Sequence, residues 1–460
     1  MVSNLNDTIA ALATPFGISA LAVIRLTGPE AISITDRLFI PSDKRDLKSA
    51  QTRTIHHGKI TDGNNPVDEV MAAVFKSPGT YTGEDIVEVT CHGGGIIISA
   101  ILDLFSRHGV RPAEPGEFTK RAFLNGKMDL SQAEAVNNLI NAGSRRALEG
   151  ALKVFSGSLR EKTEEIKRAL FEVKANIDAD IEWGDTEELE IIDRSKIIDM
   201  LLRARKNIDD ILKNSKAYSG IYTGFRVVIA GRPNAGKSSL FNCLLQESRS
   251  IVNNIPGTTR DVIESEVVSD GYLIRYVDTA GLGLENPTEV DILSAQKSRQ
   301  ELEAADTVVI VIDKTEGTGN AEESILKLAS GKKKIIVLNK ADLGKGISDK
   351  DLKKFAGRQK IVKTSCRENE GIEELKEVIH RRIDKEMPGH VMVSARQKNS
   401  FRNASASVKK VIDLMETAPV FYEVVSWELS EAINYLGRID GTVIKEDVLD
   451  KIFEDFCIGK

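Results

Sequence analysis

Apolar positions recur in three rhythms along the chain. Up to about residue 124, short apolar runs alternate with glycine and proline clusters, the pattern of a mixed α/β domain. Ala20–Arg25, Val70–Phe75 and Asp85–Cys91 predict strands, the last alternating Ile86, Glu88 and Thr90 against Val87, Val89 and Cys91. His92-Gly93-Gly94-Gly95 then turns into an apolar helix, Ile96–Phe105. Glu88 is the polar residue to watch, because a carboxylate inside an apolar strand is costly unless something meets it. On periodicity alone it faces water at a sheet edge.

From about 125 to 216 the rhythm changes to threes and fours. Leu148, Leu152, Phe155, Leu159, Ile166, Leu170, Val173, Ile177 and Ile181 predict one long amphipathic helix or a pair of them. The stretch Ile191–Leu212 predicts another, and the acidic run Asp185–Glu190 reads as a loop or a solvated face. Residues 217–384 alternate strand and helix. Val227–Ala230, Leu273–Val277, Val308–Ile312, Ile335–Leu338 and Ile361–Lys363 predict a parallel sheet with helices on both faces. After Met387-Pro388-Gly389 helical spacing returns, in Val408/Val411/Ile412, Leu429/Ile433/Leu436 and Val448/Leu449/Ile452/Phe453/Phe456. The expected layout is therefore a multidomain α/β plus α chain: 1–124 mixed α/β, 125–216 helical, 217–384 α/β, 385–460 helical. Helical segments on both sides of a complete α/β unit suggest an insertion into one helical domain, two separate helical domains being the alternative.

Composition narrows the class. The chain has 460 residues, 41% apolar and 29% charged, which suits a soluble protein of two to four domains. A net charge of −6 gives no global positive field, so any RNA contact is local or delegated to a partner. Arg145, Arg146 and Lys153 are basic residues that could touch RNA, a solvated helix face being the default reading. Cys91, Cys243, Cys366 and Cys457 lie far apart, which argues against a zinc site or disulfide framework and predicts a cytoplasmic setting. No signal sequence or long apolar span is present, so no membrane partner is expected.

Chemistry enters at Phe225–Ser239, FRVVIAGRPNAGKSS. An apolar strand runs into Gly231-x-x-x-x-Gly236-Lys237-Ser238, the full phosphate-loop pattern. Glycines let backbone N–H groups turn around phosphate oxygens, Lys237 brings a point charge, and the Ser238 hydroxyl can ligate Mg²⁺. Contacts to the nucleotide are expected from Asn234, Ala235, Gly236, Lys237, Ser238 and Ser239. Downstream, Asp278-Thr279-Ala280-Gly281 follows a strand, so Asp278 can reach Mg²⁺ through water and the Gly281 N–H can meet the γ-phosphate. The stretch Asn253-Asn254-Ile255-Pro256-Gly257-Thr258-Thr259 lies between them, in a loop able to order around Mg²⁺ and a γ-phosphate. Asn339-Lys340-Ala341-Asp342 follows the next strand but one. The Asp342 carboxylate can take both N1–H and N2–H of guanine, which selects GTP over ATP, and Ser365-Cys366 would back the base. Leu282 occupies the position where Ras-like switches carry a water-orienting glutamine. Hydrolysis must then recruit another cation and another polar group, or be slow.

At this point the whole chain resembles one family, the tRNA-modification GTPase MnmE (TrmE). The marks are Asp7-Thr8-Ile9-Ala10-Ala11, Ala13-Thr14-Pro15-x-Gly17, Tyr81-Thr82-Gly83-Glu84-Asp85 leading to His92-Gly93-Gly94, and Pro115-Gly116-Glu117-Phe118-Thr119-x-Arg121-Ala122-Phe123-Leu124-Asn125-Gly126-Lys127. The phosphate loop and the terminal Cys457-Ile458-Gly459-Lys460 complete them. The resemblance implies a folate-binding, dimer-forming N-terminal domain in which Arg25, Glu88, Lys127 and Lys460 hold a tetrahydrofolate derivative, 5-formyl or 5,10-methylene. It implies a helical domain in two segments with the GTPase inserted. It also implies a homodimer, and a heterotetramer with the FAD-containing MnmG (GidA), which together install an aminomethyl-type (carboxymethylaminomethyl) group at C5 of the wobble uridine of certain tRNAs. A regulatory GTPase of the ribosome-assembly type, without folate chemistry, is the alternative.

The family further implies K⁺ near the phosphates in place of an arginine finger. Its ligands would be Asn234, Asn253, the Ile255 carbonyl and Thr258, with Mg²⁺ on Ser238 and Thr259 and catalysis by Lys237 and a water-orienting Glu289. There are departures. Asn253 stands where the family usually has Thr or Ser, and Gln397 where it has His. Glu-x-x-Gly-Ile becomes Glu289-Val290-Asp291-Ile292, which leaves Glu285 as the other candidate. The role of Cys457 stays open.

Overall fold

The computed structural model describes residues 6–43, 45–183, 193–214, 224–246, 253–254, 263–279, 289–386, 393–417 and 419–460. By backbone contacts the chain forms two compact units. One comprises Met1–Asn137, Val154–Arg205 and Asn403–Lys460, the other Asn138–Lys153 and Lys206–Arg402.

The first unit opens with β1 (Ile9–Leu12), β2 (Ser19–Thr27), α1 (Ala31–Leu38), β3 (Phe39–Pro41), β4 (Thr54–Asp62) and β5 (Asn65–Phe75). It continues with β6 (Ile86–Gly93), α2 (Gly95–Arg107), β7 (Arg111–Pro112) and α3 (Glu117–Leu124). The seven strands form one sheet in the order β3-β4-β5-β6-β2-β1-β7. Alternate residues such as Ile24, Leu26, Val87, Val89, Val70 and Ala72 are buried in one cluster with Ile101, Leu104 and Phe105 of α2, which is why these strands alternate. β6 lies between β5 and β2, and Glu88 stands opposite Arg25 in the register. The edge position expected from periodicity is therefore corrected: Glu88 is inside the sheet, met by an arginine across the strand.

Behind this sheet lies an ionic network that periodicity does not show. The Arg121 guanidinium is fully buried and donates to the Asp7 carbonyl at 2.7 Å, the Asp7 carboxylate at 2.5 Å and Glu117 at 2.9 Å, with Glu84 at 3.3 Å. Arg111 donates to Asp7 at 2.7 Å and to Glu117 at 2.6 Å. Burial on its own raises the Glu117 carboxyl, but hydrogen bonds from Arg111, the Glu114 amide and Arg121 hold it below its ordinary value. Asp7 is lowered in the same way by Arg111 and Arg121.

Helices follow: α4 (Leu130–Ile140), α5 (Arg145–Phe155), α6 (Ser158–Trp183) and α7 (Arg194–Asn214). The expected long helix is a pair, broken at Gly157, whose φ of +95° is left-handed. The break resets the helical phase. From Leu159 to Ile177 the predicted stripe is buried as expected, whereas Leu148, Leu152 and Phe155 are 42%, 47% and 38% exposed and Ala147, Ala151 and Val154 are buried in their place. The acidic run 185–190 lies outside the described residues.

The second unit carries β8 (Phe225–Gly231), α8 (Lys237–Gln246), β9 (Asn253–Asn254), β10 (Ile263–Ser269), β11 (Tyr272–Asp278), α9 (Glu289–Ala304) and β12 (Thr307–Asp313). After these come α10 (Asn320–Leu328), β13 (Lys333–Asn339), α11 (Asp349–Ala356), β14 (Lys360–Lys363) and α12 (Ile372–Glu386). The sheet order is β14-β13-β12-β8-β11-β10-β9. All five predicted strands pair in parallel, while β10 and β9, which were not predicted, add an antiparallel edge. Two apolar clusters line the two faces, Val227, Ile229 and Val309 on one and Val228, Ala230 and Val308 on the other, so the central strands are apolar throughout.

The chain ends in α13 (Ala395–Glu416), α14 (Tyr422–Asp440) and α15 (Glu446–Phe453). α14 and α6 are joined by Lys167, which is nearly buried and donates to Asp440 and Glu164, both at 2.8 Å. Leu449, Phe453 and Phe456 pack on Ala122, Leu130 and Val136, which ties the last helix to the first unit's α3 and α4.

The arginine network sets a test. Replacing Arg121 by Met leaves several half-buried carboxylates without their cation and should cost about 3–5 kcal/mol in chemical denaturation. Because the native carboxyl values are depressed, the network's contribution is complete above the ordinary carboxylate range of about 4 and is lost as pH falls through the lower native values. Arg121→Met should accordingly flatten the acid limb of the stability profile.

Candidate functional site

The nucleotide cradle is built where β8 ends. Gly231 lies against β12 so closely that a Cβ there would be 2.6 Å from the Val311 carbonyl. The loop then turns through Asn234 and Gly236, at φ +63° and +91°, and α8 begins at Lys237. A Cβ at Gly236 would lie 2.1 Å from the Asn339 side-chain nitrogen. The second glycine of the pattern is thus required by the Asn339 side chain at the end of β13 as well as by the turn of the loop.

Lys237 is buried and donates to the Arg232 carbonyl at 2.9 Å. Burial pushes its ammonium below the usual range, against the pull of Asp278. Asp278 is also buried, and burial raises its carboxyl against a hydrogen bond from Ser238 and the Lys237 charge. Its Oδ1 is buried with no hydrogen-bond partner. An orphaned carboxylate oxygen beside the Ser238 hydroxyl is a site for a hydrated Mg²⁺, and the residues present fit that ion. Thr279 is anchored by its hydroxyl to the Ile229 carbonyl at 2.8 Å.

The opposite wall is held by Asn339. Its amide donates to the Ala235 carbonyl at 3.1 Å, and its Oδ1 accepts from Thr364 at 3.2 Å and from the Cys366 thiol at 3.4 Å. Burial pushes the Cys366 thiol up to about 12, so it is a proton donor at neutral pH. Lys340, at φ +59°, donates to the Asn234 carbonyl at 3.2 Å and pairs with Asp313 at 2.6 Å. The Ala341 amide donates to the Thr364 carbonyl at 3.0 Å. Asp342 is exposed and Ser365 is buried. The structure thus brings together 234–239, 278–279, 339–342 and 365–366, and adds Arg232, Asp313 and Thr364, which no motif marked. Asp313 had one available signal, its place at the end of a predicted strand.

Part of the expected set cannot be placed. Ile255, Pro256, Gly257, Thr258, Thr259, Ala280, Gly281, Leu282 and Glu285 lie outside the described residues, as do the side chains of Asn253, Asn254 and Glu289. Among the described residues, no group of three or more His, Cys, Asp and Glu could hold a metal.

A second constellation lies in the first unit. Arg25 reaches Glu88 through Nε and Nη2, both at 2.8 Å and both landing on Oε1, so Oε2 stays open to another donor. Arg25 also donates to the Gly459 carbonyl at 3.2 Å. Gly459, at φ +92°, sits against β1, where a Cβ would be 2.4 Å from the Leu12 carbonyl. Cys457 is exposed and its carbonyl accepts from the Gly116 and Lys460 amides. Lys127 donates to the Pro78 carbonyl at 2.9 Å and makes no hydrogen bond to Arg25 or Glu88.

Known proteins place the chain. Residues 130–457 match the family described as MnmE helical domain, and residues 8–127 match GTP-binding protein TrmE N-terminus. A relative from Thermotoga maritima named tRNA modification GTPase MnmE is 40% identical over 459 residues, covering 99% of this chain and 100% of the relative. One of the same name from Bacillus subtilis is 36% identical over 467 residues, with the same coverage. The chain belongs to the MnmE family. Among solved structures, the G domain of the T. maritima FeoB iron transporter is 32% identical and covers 34% of this chain and 98% of that one, with a TM-score of 0.29. No helix among the described residues is long and apolar enough to cross a membrane.

For this MnmE-family chain the Gly236–Asn339 approach is the sharpest constraint on the cradle. Gly236→Ala should abolish tight GTP and GDP binding in a fluorescent-nucleotide titration while thermal unfolding of the first unit is unmoved.

Proposed function

We propose that this chain hydrolyses GTP as a K⁺-stimulated homodimer and, with the FAD-containing MnmG (GidA), installs a carboxymethylaminomethyl-type group at C5 of the wobble uridine of certain tRNAs. Family membership makes the chain a GTP hydrolase that acts in tRNA modification. The observation that carries the finer reading is the full-length relationship, which spans the phosphate cradle, the Arg25–Glu88 pair and the terminal tetrapeptide together. The layout we propose is 1–124 for folate binding and dimerisation, 125–216 with 385–460 as one helical domain, and 217–384 as the GTPase inserted in it.

In this reading Lys237 and the loop amides bind the phosphates, and Asn339, Lys340, Asp342, Ser365 and Cys366 hold guanine. Ser238 and Thr259 would hold Mg²⁺, and Asn234, Asn253, the Ile255 carbonyl and Thr258 would hold K⁺. The two cations supply positive charge where the phosphoryl group develops negative charge. The Asn234 side chain is exposed and makes no hydrogen bond among the described residues, which suits a cation ligand. Glu289 or Glu285 orients the attacking water.

For folate, Arg25 fixes the Glu88 carboxylate through one oxygen and leaves the other for the paired N–H groups of a pterin edge. Lys127 and Lys460 suit an anionic glutamyl tail.

Mass spectrometry of wobble nucleosides tests the whole reading: tRNA from a strain lacking this protein should lose the C5 substituent, and an unchanged wobble uridine would refute it. The cation mechanism has its own test. GTP turnover by the purified protein should be several-fold faster in K⁺ than in Na⁺ at equal ionic strength, and equal rates would rule K⁺ out.

A further inference from the structure

The chain's four cysteines are free and far apart in sequence, yet two of them meet in the fold. Cys243 lies in the second turn of α8, just past the phosphate loop, and Cys366 follows Ser365 in the loop after β14. The Cys243 thiol donates to the Cys366 carbonyl at 3.7 Å, and a hydrogen bond also joins the two thiols. Both side chains pack against the apolar cluster that holds Val227, Ile229 and Leu240, and both are half-buried, so neither is sealed from solvent. The other two differ: Cys91 is fully buried in the first unit's sheet, and Cys457 is exposed in the terminal tetrapeptide.

A further bond gives the pair its leverage. The Cys366 thiol donates at 3.4 Å to Asn339 Oδ1, on the carboxamide that also grips the phosphate loop at Ala235. A sulfur in a disulfide carries no proton and cannot donate. Joining Cys243 to Cys366 would therefore take one donor from Asn339 Oδ1, leave it with Thr364, and tie the 364–366 loop to α8.

We propose that Cys243 and Cys366 form a reversible redox switch on the guanine-nucleotide site: a peroxide converts the dithiol to a disulfide, and nucleotide binding weakens until a thiol reductant restores the pair. The switch rests on the guanine-holding role given above to Asn339 and Cys366.

The oxidation balances in two steps. The Cys243 sulfur takes one peroxide oxygen and becomes a sulfenic acid, while the O–O bond breaks and one water leaves. The Cys366 sulfur then displaces the sulfenic hydroxyl to form the S–S bond, and its own proton departs with that hydroxyl as a second water. Two electrons leave the sulfurs and reduce the peroxide. Burial and the Cys243 thiol push Cys366 up to about 12, which suits it to the second step, where it enters with its proton. In a reducing compartment, the setting that the cysteine spacing predicts, disulfides are mostly transient and redox-sensing rather than structural.

The test uses the full-length protein, first reduced and then treated with a small excess of hydrogen peroxide. Peptide mapping after alkylation of free thiols should find Cys243 and Cys366 joined. In a fluorescent-GDP titration the oxidised protein should bind about tenfold more weakly, the size of one lost buried hydrogen bond, and dithiothreitol should restore the affinity. Cys243→Ser should bind as tightly as the reduced wild type and keep that affinity in peroxide. Cys243→Ala repeats the control without a hydroxyl, and thermal unfolding shows that both variants are folded. If neither folds, the wild-type cross-link and its reversal decide the matter. Both cysteines alkylated after peroxide would overturn the switch. So would a joined pair with unchanged GDP affinity, or an equal loss of affinity in Cys243→Ser. Failure of the nucleotide reading would show as absent GDP binding in the reduced protein, whereas failure of the switch shows only after oxidation.

Discussion

One carboxamide holds the nucleotide site together. Asn339 donates to the phosphate loop at Ala235, 104 residues before it, and accepts from Thr364 and Cys366, so three loops share one planar group. The fit is tight enough that position 236 admits no side chain. An amide with both ends satisfied has one orientation, and a buried amide turned the other way would leave a donor facing donors. The 339–342 loop and the phosphate loop are therefore set relative to each other by the chain itself. Lys340 reinforces this from the exposed side, with its ammonium shared between the Asn234 carbonyl and the Asp313 carboxylate.

The cradle shows charge held ready. Lys237 and Asp278 are both buried, and burial disfavours the charged form of each. Each is opposed by the other's charge, and Asp278 also by a hydrogen bond from Ser238. In the proposed function a triphosphate with a metal ion would bring further partners for both, and binding would then relieve a desolvation cost built into the fold. The first unit handles its ionic residues in the opposite way. Arg121 is met by Asp7, Glu84 and Glu117, and Arg111 by Asp7 and Glu117, so carboxylates of the same unit balance both guanidinium charges.

What the sequence revealed and what it concealed divide along a physical line. Features imposed by local backbone geometry were legible: the strand into Gly231, the helix at Lys237, and strands ending at Asp278 and Asn339. Glycine and period leave their marks within a few residues. Features made by pairing distant side chains were not. The partner of Glu88 is Arg25, sixty-three residues away, and no periodicity marks it. The phase of α5 was misread because one left-handed glycine after it re-aims the stripe that continues into α6. The antiparallel β10 escaped because charged Glu264 and Glu266 interrupt it, and those residues meet Arg275 on the adjacent β11 and Arg226 on β8, one strand further in.

The tail at Gly459 has a consequence in time. Its carbonyl completes the shell around Arg25, and its backbone presses on β1, across a separation of 434 residues. At a synthesis rate of about 5–20 residues per second, the first strand is made some tens of seconds before the segment that closes over it. During that interval the Arg25–Glu88 pair stands uncovered on a sheet that is otherwise complete. The Arg25–Glu88 pair is thus covered by a segment made more than four hundred residues after its own strand.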